Sequence, residues 1–201
     1  MEQLNYLLFA WMNATPSSPE WSIDLAMFLA RDVIAIVPLL IVGLWFWGSK
    51  KSLVSQREVV AKTTIALGFS LLASASIGML LPHERPFVAG IGYTFLYHAP
   101  DSSFPSDHGT AIFTFAIAFL CWHRVWSGIT LLIIALGIAW SRVYLGVHWP
   151  LDMVGGFMLG LVGCLFAQLV WNLFGDLIAH KLARLYRFLF AFPIRKGWIK
   201  E

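Results

Sequence analysis

The chain has 201 residues, of which 59% are hydrophobic and only 12% charged, and its mean hydropathy is +0.73. A soluble domain carries about 25% charged residues, so the composition excludes an ordinary soluble globule and points to an integral membrane protein of one compact domain over residues 1–201. The net charge of +3 is mild, but the basic residues behind it are unevenly placed along the chain.

Residues 4–12 open the chain with a short apolar stretch. It falls below the ~20 residues that cross a bilayer and reads as an interfacial helix or a packed N-terminal segment. The start, Met1-Glu2-Gln3, lacks the basic region of a cleavable signal peptide. Longer apolar segments follow at 23–47, 61–81, 109–123, 127–145 and 152–175. They predict an all-α, multi-pass helical membrane protein of about five to six transmembrane helices, the sixth crossing or a re-entrant N-terminus depending on the first stretch. Arg31 and Asp32 interrupt the first span. Adjacent residues do not face each other on a helix, so each needs its own partner, either an ion pair with another helix or a place behind a polar site. Pro38 is expected to kink the same span. Trp45, Trp47, Trp122, Trp126 and Trp149 fall at span ends and read as an aromatic belt. Cys121 and Cys164 lie in apolar runs and read as small packing residues.

The basic residues set an orientation. Lys50, Lys51, Arg57, Lys62, Arg124, Lys181, Arg184, Arg187, Arg195, Lys196 and Lys200 are eleven of the fourteen, and five crossings put all of them on one side. The positive-inside rule makes that side cytoplasmic, with the N-terminus outside and the C-terminus inside. The basic tail reads as an orientation signal and a contact for anionic membrane lipids, with no nucleic-acid role. Segments 82–108 and 142–152 then open to the outer face.

Those outer segments hold Arg85, His108, Arg142, His148 and Asp152 at or near span ends. Ionisable groups at such depth mark function. Two arginines offer planar charged forks for phosphate oxygens, and two histidines offer a nucleophile and an acid near neutral pH. Asp152 follows His148 by four residues, and with a helix starting near Pro150 it can reach back to a His148 ring nitrogen and fix its tautomer. Ser106 is placed to cap the next helix, whose free N–H groups attract anions. His98, His123 and His180 lack such company and read as structural.

Ser141-Arg142, His148 and Asp152 fit the pattern Ser-Arg-x5-His-x3-Asp, and Pro105-Ser106-Asp107-His108 and Arg85-Pro86 precede them in order. The chain therefore resembles the type 2 phosphatidic acid phosphatase family, with its haloperoxidase-like helical bundle. Two positions depart from the family motifs: Asp107 stands where Gly is usual, and Gly78 stands where Lys is usual. His83 is a candidate to stand in for the missing cation, and Asp107 to tune substrate choice or to bind a cation. The segment Pro82-His83-Glu84-Arg85-Pro86-Phe87 and the closing Phe192-Pro193-Ile194-Arg195-Lys196-Gly197-Trp198 are similar to the bacterial undecaprenyl-diphosphate phosphatases of bacitracin-resistance type.

The resemblance implies a mechanism. His148 attacks the terminal phosphorus, Asp152 orients it, and His108 protonates the leaving oxygen. Arg85, Arg142, Ser106 and the helix N–H groups hold the phosphate, with Asp107 and His83 as further candidates. It implies no cofactor and no metal. The substrate implied is a polyprenyl diphosphate lipid, and no protein partner is legible. Other readings stay open: another lipid phosphate phosphatase, a phosphotransferase acting on lipid A, or a lipid or anion transporter that keeps the scaffold.

Overall fold

The computed structural model describes residues 2–48 and 50–200, apart from the side chains of Lys50 and Lys51. Among the described residues all regular structure is helical: α1 (Glu2–Met12), α2 (Glu20–Arg31), a 3₁₀ turn (Val33–Ala35), α3 (Ile36–Phe46), α4 (Lys50–Leu80), α5 (Asp107–Trp122), α6 (Val125–Tyr144), α7 (Pro150–Leu189) and α8 (Ala191–Arg195). Four stretches among the described residues are long and apolar enough to cross a membrane: Glu20–Phe46, Ser52–Leu80, Val125–Tyr144 and Pro150–Leu189. α5 is a shorter apolar helix of 16 residues, about 24 Å long. It is the centre of the bundle, flanked by α4, α6 and α7, with Ile112, Phe115, Ala116 and Ala118 buried. Most of its apolar surface meets protein, so it needs no full lipid-spanning length.

The five expected segments are present with shifted ends. α4 begins at Lys50 rather than 61, and α7 runs to Leu189 rather than 175. Hydropathy marks the part of a helix that sits in lipid, whereas good helix formers, the polar Gln56, Arg57 and Glu58 in α4 and Leu182, Ala183 and Arg184 in α7, continue the backbone pattern beyond it. The first span breaks in the turn before Pro38 rather than bending at it. Pro38 has no N–H, and its ring crowds the carbonyl of Ile34, so the α pattern gives way to the 3₁₀ turn at Val33–Ala35. Arg31 and Asp32 sit at this break, exposed, and among the described residues neither makes an ion pair. They are neither paired to another helix nor placed behind the polar site.

α1 packs on the bundle by one face and leaves the other open. Phe9 is 0% exposed and Asn5 8%, while Leu7 and Trp11 on the other face are 69% and 87% exposed. Trp149 departs from the aromatic-belt expectation. It is 2% exposed, packed edge-on to Tyr6 and against Phe9 at 4.9 and 5.0 Å, with its indole N–H donating to the Glu84 carbonyl. Tight packing of α7 on α5 rests on small residues: a Cβ on Gly156 or Gly160 would stand 2.7 or 2.8 Å from the backbone nitrogens of Thr110 and Thr114. Cys164 is buried and Cys121 exposed, both as free thiols.

Charge is segregated between the ends of the bundle. The Arg57 guanidinium stacks on Tyr186 and donates to the Lys200 carbonyl, while Lys200 Nζ donates to the Gly48 carbonyl. Lys62 Nζ lies over the Trp122 ring. The connection after α3 and the C-terminal tail thus meet at one end, and the starts of α5 and α7 lie at the other.

Candidate active site

α6 ends at Tyr144, and the chain turns sharply to enter α7. Gly146 makes that turn at φ +79°, where an added Cβ would stand 2.1 Å from the Tyr93 carbonyl oxygen, so no other residue fits without strain. The turn brings His148 back under the start of α7, with Pro150 at its first position. Asp152, in the first turn, accepts three hydrogen bonds on one oxygen. Trp149 N donates at 2.8 Å, His148 Nδ1 at 3.1 Å, and the Ser103 hydroxyl donates as well. The Ser103 carbonyl is a second acceptor 3.1 Å from Nδ1. The two nearer neighbours of Nδ1 both accept, and the donor Arg85 Nη1 is farther off at 3.5 Å, so Nδ1 carries the proton and Nε2 carries the lone pair. Nε2 faces Arg85 Nη1 at 3.0 Å and Ser106 Oγ at 3.3 Å.

His148 is 2% exposed. Burial, and then the charges of Arg142 and Arg85, hold its pKa well below the ordinary histidine range. It is therefore a neutral imidazole at physiological pH.

Ser106 is fully buried and caps α5, its hydroxyl accepting from Gly109 N at 3.2 Å, while its own N–H donates to the Asp152 carbonyl at 3.2 Å. The start of α5 is thereby fastened to the start of α7, and His108 lies half-buried in the first turn of α5.

The two arginines differ. Arg85 is buried and committed to protein groups: Nε and Nη2 to Asp101 at 2.9 Å each, Nη1 to the Val147 carbonyl at 2.9 Å, and Nη2 to the Ser102 carbonyl at 3.2 Å. Arg142 is 3% exposed, yet among the described residues its Nε and Nη2 have no hydrogen-bond partner. A buried guanidinium with open donors is a fork without its anion.

The structure brings Arg85, Ser106, His148 and Asp152 into direct contact, with Arg142 close enough for its charge to act on His148. Asp107 is exposed, with its carboxylate accepting from Ser74 on α4 at 2.8 Å, and it is close enough to Arg142 for its charge to act there. His83 is exposed, with its ring against Trp149, 6.4 Å between centroids. Among the described residues its side chain makes no hydrogen bond to Arg85 or His148. At Gly78 an added Cβ would point at Ser102 and the Phe104 carbonyl, 3.5 and 3.6 Å away, toward the segment that borders the site.

Three site residues escaped sequence reasoning. His98, read as structural, has its ring edge-on to His148 with centroids 5.9 Å apart, and its Nδ1 is 3.6 Å from Asp101. Burial lowers its pKa. Asp101 joins His98 to Arg85, and Ser103 holds both Asp152 and His148. The polar run Asp101-Ser102-Ser103 before Pro105 was the available signal. Among the described residues no cluster of three or more His, Cys, Asp or Glu side chains is arranged to hold a metal ion.

A buried neutral histidine oriented by a carboxylate, beside an unpaired buried arginine and a helix N-terminus, can attack an electrophile that carries anionic oxygens. Comparison with known proteins points the same way. Residues 60–176 match the PAP2 superfamily. The chain is 58% identical over 201 residues to "Putative undecaprenyl-diphosphatase YbjG" of Escherichia coli (strain K12), covering 100% of both. It is 29% identical over 176 residues to "Undecaprenyl-diphosphatase BcrC" of Bacillus subtilis (strain 168), covering 87% of this chain and 86% of that one. In fold it is similar to the crystal structure of Aquifex aeolicus LpxE, with a TM-score of 0.66 at 24% identity over 82% of this chain and 94% of that one. The protein is thus a multi-pass membrane phosphatase of the PAP2 superfamily.

Proposed function

We propose that this protein hydrolyses undecaprenyl diphosphate to undecaprenyl phosphate and inorganic phosphate. The observation that carries the reading is the pairing of neutral His148 with the open fork of Arg142, and the names of the two relatives supply the lipid. His148 Nε2 attacks the terminal phosphorus and forms an N–P bond as the bridging P–O bond breaks. Burial and the charge of Arg142 push the His108 pKa down to about 4 in the empty site; the negative charge of the bound diphosphate raises it, so His108 takes up a proton with the substrate and gives it to the leaving lipid phosphate. A water that loses its proton to His108 then attacks the phosphohistidine, and inorganic phosphate leaves with His148 restored. Asp152 holds Nδ1–H and stabilises the charge that develops on the ring. Arg142, Ser106 and the N–H groups at the start of α5 hold the equatorial oxygens as charge builds. Arg85 keeps His148, Val147 and the 82–106 segment in register and completes the positive field.

The charge segregation supports an orientation with the basic end in the cytoplasm and the site at the periplasmic face of the bacterial inner membrane. There the product would re-enter the lipid-carrier cycle of peptidoglycan synthesis. The test is phosphate release by detergent-solubilised protein in excess EDTA, with undecaprenyl diphosphate, phosphatidylglycerophosphate and phosphatidate compared side by side and His148→Ala as blank. Selective release from the polyprenyl diphosphate is expected. Equal release from glycerolipids makes the protein a general lipid phosphatase, and turnover only on adding an acceptor lipid makes it a transferase.

A further inference from the structure

Arg31 and Asp32 are charged groups in the first span without a use in the chemistry above. Their depth follows from contacts between α2 and α6. Ser22 Oγ and the Tyr144 hydroxyl are hydrogen-bonded at 2.7 Å, and Leu29 lies over Gly137, so α2 descends along α6 from the site-bearing end. Arg31 lies nine residues beyond Ser22, or ~14 Å deeper at 1.5 Å per residue. In a hydrocarbon layer about 30 Å thick that is close to the midplane. The inner face of α2 is packed through Ala26 and Ala30, both 0% exposed. The outer face carries Trp21, Leu25 and Phe28, exposed at 69%, 45% and 56%. Asp32 continues that outer row one turn below Phe28, and Arg31 lies beside it, both exposed.

Ionisable side chains at this depth pair or face a protein interior, and here, among the described residues, neither has a partner. Consecutive residues of a helix diverge around the axis, so they do not satisfy each other. A second copy does satisfy them. Two copies inserted with the same orientation relate by a two-fold axis along the membrane normal, so each residue meets the partner at its own depth. Arg31 and Asp32 of the partner subunit then differ in height by ~1.5 Å. The symmetry generates a reciprocal second pair, with net charge zero across the contact. The large apolar side chains above fill the rest of the seam.

We propose that this protein forms a two-fold homodimer in the membrane through the outer face of α2, with Arg31 bonded to Asp32 of the partner subunit and the reverse.

The test is disulfide cross-linking in intact membranes of the full-length protein carrying Phe28→Cys in a Cys121→Ser background. A cross-linked dimer is expected. Arg31→Asp alone and Asp32→Arg alone should each lower its yield at least tenfold, and the double exchange, Arg31→Asp with Asp32→Arg, should restore it. Counting photobleaching steps of singly labelled wild-type protein in liposomes should give two per particle. Single-step particles, single variants that cross-link as well as the parent, or a double exchange that fails to recover would overturn the proposal. Retention of a different protein at this face, with no self-association, would equally overturn it.

Discussion

Replacing Arg142 with Met should move activity and stability in opposite directions. Arg142 is 3% exposed, with Nε and Nη2 unpaired. A buried donor left without a partner costs about 1–3 kcal/mol, and water held in the site offsets part of that. Removing both donors with the charge should therefore stabilise the resting protein by about 1–3 kcal/mol. With phosphate present the same N–H groups become charge-assisted bonds of about 1.5–3 kcal/mol each. Their loss from the transition state amounts to about 3–6 kcal/mol, a fall of about 10²–10⁴ in kcat/KM. Phosphate release gives the kinetic half. Tryptophan-fluorescence unfolding in the same detergent, with and without orthovanadate, gives the other. Wild type should gain stability from vanadate and the variant should gain little. A variant that keeps kcat/KM within tenfold of wild type, or that unfolds more readily than wild type without ligand, would refute the assignment of the open fork to the substrate phosphate.

Asp152→Asn places an amide opposite His148 Nδ1 and drives the ring proton to Nε2, so single-turnover phosphate release should slow by about 10³–10⁴ with the fold kept; a loss under tenfold would remove Asp152 from the orienting role. The depressed His148 pKa means the folded state binds its proton less readily than the unfolded chain. The stability it confers is full above about 6.5 and declines as pH falls below that value. Unfolding measured from pH 8 to 5 should show this slope, and His148→Gln should make it shallower while the likewise depressed His98 and His108 keep a remainder; identical slopes would contradict the neutral assignment. Gly146→Ala should destabilise the protein by at least about 1–3 kcal/mol, because φ +79° and the Tyr93 carbonyl both exclude a Cβ; an unchanged chemical-unfolding midpoint would mean the turn relaxes freely. Asp107→Gly, which removes a carboxylate held by Ser74, should leave turnover in place and alter the ranking of lipid substrates, and complete loss of phosphate release would contradict that.

The spans and the His148–Asp152 spacing were legible because both depend on local periodicity. An apolar run declares its length, and four residues on a helix turn declare adjacency. His98, Asp101 and Ser103 were hidden because the 82–106 segment has no helix to lend it a period. It reaches the site by folding over, through bonds such as Ser103 N–H to the His83 carbonyl at 2.7 Å. Trp149 was misread for a related reason. Its place beside a span end fits a lipid-facing belt, but α1 closes over it, and a long-range contact between residues 9 and 149 leaves no local trace. The unpaired state of Arg142 was equally invisible, since sequence supplies the charge but not the list of its neighbours.

Asp101 gives the resting site a resident anion. Its carboxylate occupies two nitrogens of Arg85 while remaining 64% exposed on its own side, so it can swing away as few buried groups can. Any phosphate that seeks Arg85 must therefore exchange with a ligand the protein carries with it, rather than fill an empty seat. The same exchange runs backwards after chemistry. A departing phosphate need not strip a cation bare inside a poorly solvated pocket, a step that would hold product tightly, because a tethered carboxylate returns to the guanidinium as the product goes. Wherever phosphate takes Arg85, two anions compete for one cation, and one of them is a loop carboxylate held a single side chain away from the attacking His148 nitrogen.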